Sequence, residues 1–167
     1  TGVFANTNNL TLNDPASSLK LNGISRVDNV SISAALTSGK LEIAQNATIG
    51  VLSHSGSSRL DINNAKVLTL SNAFEIPQGK LMELVGTGGG ILSLTETLKL
   101  TGTLLFSAPD YSLINGKLEL NDGSLLDVDY HTIIDSDIVL LGNTTIDVAQ
   151  GVSLEYRGNA IDLLNYQ

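Results

Sequence analysis

The stretch that decides the fold is GKLELNDGSLLDV, residues 116–128. Its two apolar segments, at residues 118–120 and 125–128, contain alternating apolar and polar residues and are separated by Asn-Asp-Gly. Alternation with a period of two is typical of a β-strand that buries one side. Asn, Asp and Gly are residues that turns prefer. The unit therefore predicts a short strand, a turn and a second short strand.

Similar segments recur along the whole chain in two series. The first series has leading positions separated by 17 to 22 residues, at Leu19, Leu41, Leu60, Leu81, Leu98, Leu118 and Ile138. The second runs half a period out of step and begins at Leu10, Val30, Ile49, Leu68, Leu104, Leu126 and Ile146, with its missing member near residues 91–94. Two series with one period indicate a repeat architecture in which each repeat is one coil of a solenoid.

Turn residues follow the same phase. Asn, Gly or both come directly after most members of the first series, and Pro15, Pro77 and Pro109 all fall between a second-series strand and the next first-series strand. Proline is excluded from the interior of a sheet, so these positions predict corners of the coil. The glycine-rich residues 86–90 predict a loop where the period slips. They do not predict a phosphate loop, because no Lys follows and the next segment has a strand pattern.

These observations predict an all-β chain, a right-handed parallel β-helix (β-solenoid) of about seven coils of roughly 20 residues each. An antiparallel sandwich also contains short strands at this spacing and stays open as the alternative. Residues 1–167 are expected to form a single solenoid domain that is a fragment of a longer surface protein. A mature N-terminus left by processing is the other explanation for a chain that begins with the Asn-rich residues 1–9.

Charge and composition narrow the partners. The formal net charge is −8 with only nine basic residues, which argues against nucleic-acid binding and against docking on an anionic membrane. No apolar run reaches the length of a transmembrane helix, so membrane insertion by this segment is not expected. Cysteine is absent, which excludes disulfides and thiolate metal sites.

Charged residues are expected to form columns on the outside of the coils. Lys40, Arg59, Lys80 and Lys117 each precede a leading Leu and predict a basic ladder. Acidic residues follow that Leu by one position at Glu42, Asp61 and Glu119. Pairing between the two columns is expected to offset the repulsion within each.

Two clusters were considered for catalysis or metal binding. Asp127 and Asp129 are spaced to lie on one side of a strand, near His131 and the pair Asp135 and Asp137. Paired carboxylates hydrolyse glycosidic bonds or bind divalent ions, but an acidic outer face beside a corner explains them equally simply. Residues 53–55, Ser-His-Ser, are interpreted as a surface turn. No catalytic, cofactor-binding or metal-ligating residue is therefore assigned, and no cofactor is expected.

The repeated unit at residues 116–128, with the acidic, cysteine-free and Ser/Thr/Asn/Gly-rich composition, resembles passenger domains of Gram-negative type V secreted proteins, the autotransporter and filamentous-haemagglutinin-like adhesins. The resemblance implies an extracellular β-helix stalk at the bacterial cell surface. It further implies a virulence-related role and attachment to a host cell, matrix or glycan. No site residue is carried over, because the family has no common catalytic motif.

Two functions follow as expectations. The first is a non-catalytic structural or adhesive surface module, which can also self-associate through the ends or edges of its solenoid. The second is a carbohydrate-active β-helix, a polysaccharide hydrolase or lyase resembling a phage tailspike, that uses acids near Asp127 and Asp129.

Overall fold

The computed structural model describes residues 9–23 and 26–163 of the chain. Within those ranges every regular element is a strand. The strands are β1 Leu10–Leu12, β2 Leu19–Leu21, β3 Arg26–Ile32, β4 Leu41–Ile43, β5 Ala47–His54, β6 Ser58–Ile62, β7 Val67–Leu70, β8 Phe74–Ile76, β9 Leu81–Leu84, β10 Ile91–Leu94, β11 Thr97–Leu100, β12 Thr103–Phe106, β13 Tyr111–Leu120, β14 Leu125–Val128, β15 Thr132–Leu140, β16 Thr145–Val148, β17 Leu154–Tyr156 and β18 Ile161–Leu163. In the described ranges no helix is long and apolar enough to span a membrane.

The strands form two parallel sheets, one of 11 strands and one of seven. Partners lie about one coil apart along the chain: Leu19 of β2 is opposite Leu41 of β4, and Leu41 is opposite Leu60 of β6. A chain that returns to the next parallel position after each circuit is a β-solenoid, and this one has about seven turns. The predicted parallel β-helix is therefore confirmed, and the antiparallel sandwich is wrong. Most residues before Leu10 lie outside the described ranges.

Each coil has three faces. Face 1 is the seven-stranded sheet, with the order β16-β14-β12-β9-β6-β4-β2. The 11-stranded sheet supplies the other two, because β13 pairs with β10 through residues 112–114 and with β11 through residues 117–120. Face 2 contains β7, β10, β17 and the first halves of β13 and β15. Face 3 contains β1, β8, β11, β18 and the second halves, while β3 and β5 begin on face 2 and end on face 3.

Each sequence series contains strands from more than one face. In the first series, Leu41 and Leu60 lie on face 1, whereas Leu98 and Leu118 lie on face 3. The exchange occurs around the glycine-rich loop, where the offset between paired residues rises to 24, with Ser58 opposite Met82. Alternation reports that a strand has a buried side, but it does not identify the face of the coil to which the strand belongs. The period is correct and the two-strand description is incomplete.

Inward side chains stack in apolar columns that run through the coils. On face 1, Met82, Leu104 and Leu126 are opposite one another in successive coils and are fully buried. The same column reaches Ile146 in β16, which is exposed. One coil cannot bury enough apolar surface to fold alone, so stability comes from contacts between neighbouring coils. The columns are the part of the sequence that specifies this arrangement.

The glycine-rich loop at residues 86–90 connects β9 to β10, as predicted. Gly86 has φ +105°, and a Cβ there would lie 2.0 Å from Oδ1 of Asp61 in the preceding coil. A Cβ on Gly88 would lie 1.9 Å from the carbonyl oxygen of Pro109 in the following coil. The loop is glycine-rich because it is packed between two neighbouring corners and cannot accommodate side chains.

Tyr111 completes the hydrogen bonding at this corner from inside the coil. Its hydroxyl accepts the N–H of Ile62 at 2.9 Å and donates to the carbonyl of Val85 at 2.8 Å. The ring is fully buried and passes close to Gly90, where a Cβ would lie 2.8 Å from Cε1. Burial raises the pKa of the Tyr111 hydroxyl, so this group remains a neutral hydrogen-bonding partner.

Candidate functional site

The outer side of face 1 carries ion pairs between successive coils in its first half. These pairs are Lys20 with Glu42 at 2.5 Å, Lys40 with Asp61 at 2.5 Å and Arg59 with Glu83 at 2.9 Å. The Lys20 ammonium lowers the pKa of Glu42, and burial opposes this effect. The predicted pairing of basic with acidic columns is confirmed for these coils.

The predicted basic ladder is shorter than expected. Lys40 and Arg59 precede the paired Leu41 and Leu60, but the residue opposite Arg59 in the next coil is Glu83 and not Lys80. Lys117 lies on face 3, opposite Thr97 and Asp137. The prediction placed Lys80 and Lys117 in the ladder because it assigned their strands to the same face as β4 and β6.

The second half of face 1 carries carboxylates in register. Asp127 in β14 lies opposite Asp147 in β16, and Asp129 follows the end of β14. Burial raises the pKa of Asp127, and the negative charges of Asp129 and Asp147 raise it further. The proximity of Asp127 and Asp129 was predicted. Asp147 was missed, although its position in the second series, 20 residues after Asp127, gave the signal.

The other polar residues of this segment are not part of the same cluster. His131 directs Nδ1 at the Ser153 hydroxyl, 2.6 Å away. Asp137 lies on face 3 and accepts the N–H of Asn159 at 3.0 Å. A dense acidic run in the sequence is therefore distributed over several faces of one coil. Within residues 9–23 and 26–163, no group of three or more His, Asp or Glu side chains is arranged to hold a metal ion.

His54 lies inside the solenoid, so the interpretation of residues 53–55 as a surface turn is wrong for this residue. It is the last residue of β5, faces inward and is 8% exposed. Its Nδ1–H donates to the carbonyl of Gly56 at 2.8 Å, and its ring stacks on Phe74 with centroids 5.2 Å apart. Burial lowers the pKa of His54, and the Gly56 carbonyl opposes this effect. His54 thus acts as a core residue, and neither Ser53 nor Ser55 gains a general base.

The outer side of face 2 has a third character, because its middle coils carry no charge. Two columns of outward side chains, which we call the face 2 strip, consist of Thr48, Val67, Thr69, Ile91, Ser93, Ser112, Ile114 and Ile133. A shallow depression of about 410 Å³ lies at one end of the strip, lined by Asn46, Ala47, Thr48, Val67 and Thr69. Hydroxyl and aliphatic groups therefore alternate on a flat surface that is four coils high.

The sequence gave a signal for this strip that was not used. Val67, Ile91 and Ile133 are β-branched residues that come directly before, or alternate with, buried positions of their strands. They share a surface only when the offsets of 24, 21 and 21 residues between Val67, Ile91, Ser112 and Ile133 are known.

Comparisons with protein-family models, with curated proteins and with solved structures gave no match to this chain.

Proposed function

We propose that this chain is a non-catalytic structural and adhesive module, a segment of an extracellular bacterial surface stalk whose rigid face attaches to a cell, matrix or glycan. The observation that carries the proposal is the unbroken parallel stack of about seven coils. Main-chain hydrogen bonds and buried columns connect every coil to its neighbours, which is the construction of an elongated, stiff scaffold with repetitive surfaces. Such a scaffold suits the display of a binding surface.

The face 2 strip is the surface that we assign to attachment. Its threonine and serine hydroxyls supply donors and acceptors, and its isoleucines and valine supply apolar contact, which together match the mixed polar and C–H surface of a glycan. The charged columns of face 1 are already engaged with one another in the first coils. The strip has no such internal partners for its apolar groups.

The test uses binding of the purified chain to a glycan array, to immobilised matrix proteins and to cultured cells. Ile91→Lys changes the middle of the strip, and Leu105→Lys makes the matched change at a half-buried outward position on face 1. We expect binding to be lost with Ile91→Lys and retained with Leu105→Lys. Absence of any binding by the unchanged chain, or equal effects of both changes, contradicts the proposal.

A second candidate is a carbohydrate-active β-helix, favoured by one observation, the raised pKa of Asp127 between two other carboxylates. A carboxyl group that stays protonated to higher pH beside an ionised one is the arrangement of a general acid with its partner. Its test is polysaccharide cleavage by the unchanged chain and by the double variant Asp127→Asn/Asp129→Asn. Cleavage that the double variant abolishes supports this candidate. Absence of cleavage by the unchanged chain removes it.

A further inference from the structure

The C-terminal end of the described solenoid exposes its apolar interior. We call β16, β17 and β18 the end coil. Its inward side chains remain accessible, namely Ile146 (43%), Val148 (37%), Ile161 (55%) and Leu163 (57%). One coil earlier, Leu126, Val128 and Ile138 occupy the same columns and are buried. The difference arises because no described coil covers the end coil.

Both terminal strands of face 3 also have an open edge. In the described ranges β1 pairs only with β3, and β18 pairs only with β15. An open edge presents unpaired N–H and C=O groups that a further strand can use. β18 reads Ile161-Asp162-Leu163 and β1 reads Leu10-Thr11-Leu12, so both alternate apolar, polar, apolar.

We propose that the end coil binds the N-terminal end of a second copy of this chain, head to tail, with β18 of one copy beside β1 of the other. The contact continues the parallel pairing that already joins coils within the chain. β1 and β18 both lie on face 3, so the climb of the helix brings this one face to strand spacing. The contact therefore rests chiefly on one strand pair, and we expect a dissociation constant of about 1–100 μM. The inference stands independently of the proposed adhesive role.

Backbone hydrogen bonds determine the register of this contact. On β18, the carbonyl of Ala160 accepts the Ile138 N–H, so by alternation the amide groups of Ile161 and Leu163 point to the open edge. On β1, the Leu12 carbonyl accepts the Ser33 N–H, so the amide groups of Thr11 point to the open edge.

A parallel ladder between these two edges places Thr11 opposite Asp162. In that register Leu10 stacks on Ile161 and Leu12 stacks on Leu163, so the apolar column of face 3 continues into the second copy. Within the chain, Leu10 and Leu12 lie opposite Val30 and Ile32 in the same way. The Thr11 hydroxyl also lies beside the Asp162 carboxylate, to which it can donate a hydrogen bond.

The distribution of charge selects head-to-tail contact over tail-to-tail contact. Residues 1–100 contain seven basic and seven acidic side chains, whereas residues 101–167 contain two basic and ten acidic ones, so the net charge of −8 belongs to the second segment. Two C-terminal ends brought together repel each other. A C-terminal end brought against an N-terminal end meets a segment with no net charge.

The experiment is sedimentation velocity of the chain over a range of concentrations up to about 100 μM, where contacts of this strength are populated. Ile161→Lys/Leu163→Lys blocks the end coil, and Thr11→Pro removes the outward N–H of β1 while leaving the bonds from β1 to β3 in place. We expect each variant alone to weaken association at least tenfold. Mixed together, the two variants form a dimer with one copy of each and nothing larger, because one free end of each kind remains.

The matched control is Val51→Lys/Tyr130→Lys, which adds the same charge at exposed positions away from the end coil and is expected to associate like the unchanged chain. Thermal unfolding of all variants verifies that they are folded. The proposal is overturned if the unchanged chain stays monomeric, if association survives Ile161→Lys/Leu163→Lys, or if Thr11→Pro has no effect. The last result indicates tail-to-tail contact.

Discussion

The two halves of face 1 share one kind of interior and differ in their exterior. In the first half, lysine and arginine of one coil pair with carboxylates of the next. In the second half, Asp127 lies opposite Asp147, and both halves bury the same apolar columns down to the end coil. The contrast shows that the columns specify the coil, whereas outward positions can be neutralised or left to repel without altering the pairing of strands.

The largest expected effect compares a buried column position with its exposed counterpart. Leu126→Ala creates a cavity between two covered coils and is expected to lower the free energy of unfolding by about 2–5 kcal/mol. Ile146→Ala, next in the same column but 43% exposed, is expected to lower it by less than about 1 kcal/mol. Urea unfolding followed by circular dichroism measures both. Equal losses would show that the end coil is covered in solution.

The glycine-rich corner gives the next largest contrast. Gly86→Ala forces a side chain at φ +105° against the Asp61 carboxylate, and we expect a loss of about 2–4 kcal/mol. The control is Gly79→Ala, at φ +69° with no atom within 4 Å, where the backbone term alone costs about 1 kcal/mol. Thermal and urea unfolding decide. A loss at position 86 no greater than at 79 would mean that Asp61 moves aside freely.

The ion pairs of the first half differ in burial, which predicts unequal contributions. Lys40→Met leaves Asp61, whose side chain is 8% exposed, without its cation, and is expected to cost about 1–3 kcal/mol. Lys20→Met removes a partner whose side chain is 53% exposed and is expected to cost no more than about 0.5 kcal/mol. Salt titration of both variants provides the check, because screening weakens the exposed pair first. A reversed order would contradict the assignment.

The smallest effects have opposite signs in the two halves. Glu42 has a lowered pKa when folded, so its charge stabilises the fold above its ordinary value of 4.5, and the stabilisation is lost as pH falls through the folded pKa. Asp127 has a raised pKa when folded, so its charge destabilises the fold as pH rises from its ordinary value of 3.8 through the folded pKa.

Glu42→Gln is therefore expected to lower stability near pH 7, and Asp127→Asn to raise it, each by a few tenths of a kcal/mol up to about 1 kcal/mol. Both differences should disappear near about pH 3, where the carboxyls are protonated in folded and unfolded chains alike. Urea unfolding at the two pH values measures them. Changes of the same sign at pH 7 would remove the electrostatic contrast between the halves.

The sequence predicts the solenoid because its signal is repeated in every coil. Alternating segments, corner prolines and the loop at residues 86–90 all depend on local backbone preferences, and all are confirmed. Assignment of strands to faces fails where the offset changes, since Leu98 and Leu60 have the same local pattern but lie on different faces. Local alternation carries no information about the number of corners already passed.

The candidate sites were predictable only within single strands. The proximity of Asp127 and Asp129 follows from two positions in one segment, whereas Asp147 and the face 2 strip depend on the offsets between coils. His54 was placed on the surface because its neighbours Ser53 and Ser55 are polar. Alternation directs both of those side chains outward and therefore directs His54 inward.

The Tyr111 hydroxyl has a consequence for the order in which the molecule comes apart. Unfolding of a stacked array can begin at an exposed end and proceed inward one layer at a time. Tyr111 bonds at once to Ile62 and Val85, which belong to two earlier layers. Fraying that starts at the end coil must therefore break a link across three layers when it reaches Tyr111. Amide hydrogen exchange should be fast beyond residue 145 and fall sharply at this residue, which divides the rod into an outer part that opens and an inner part that is protected.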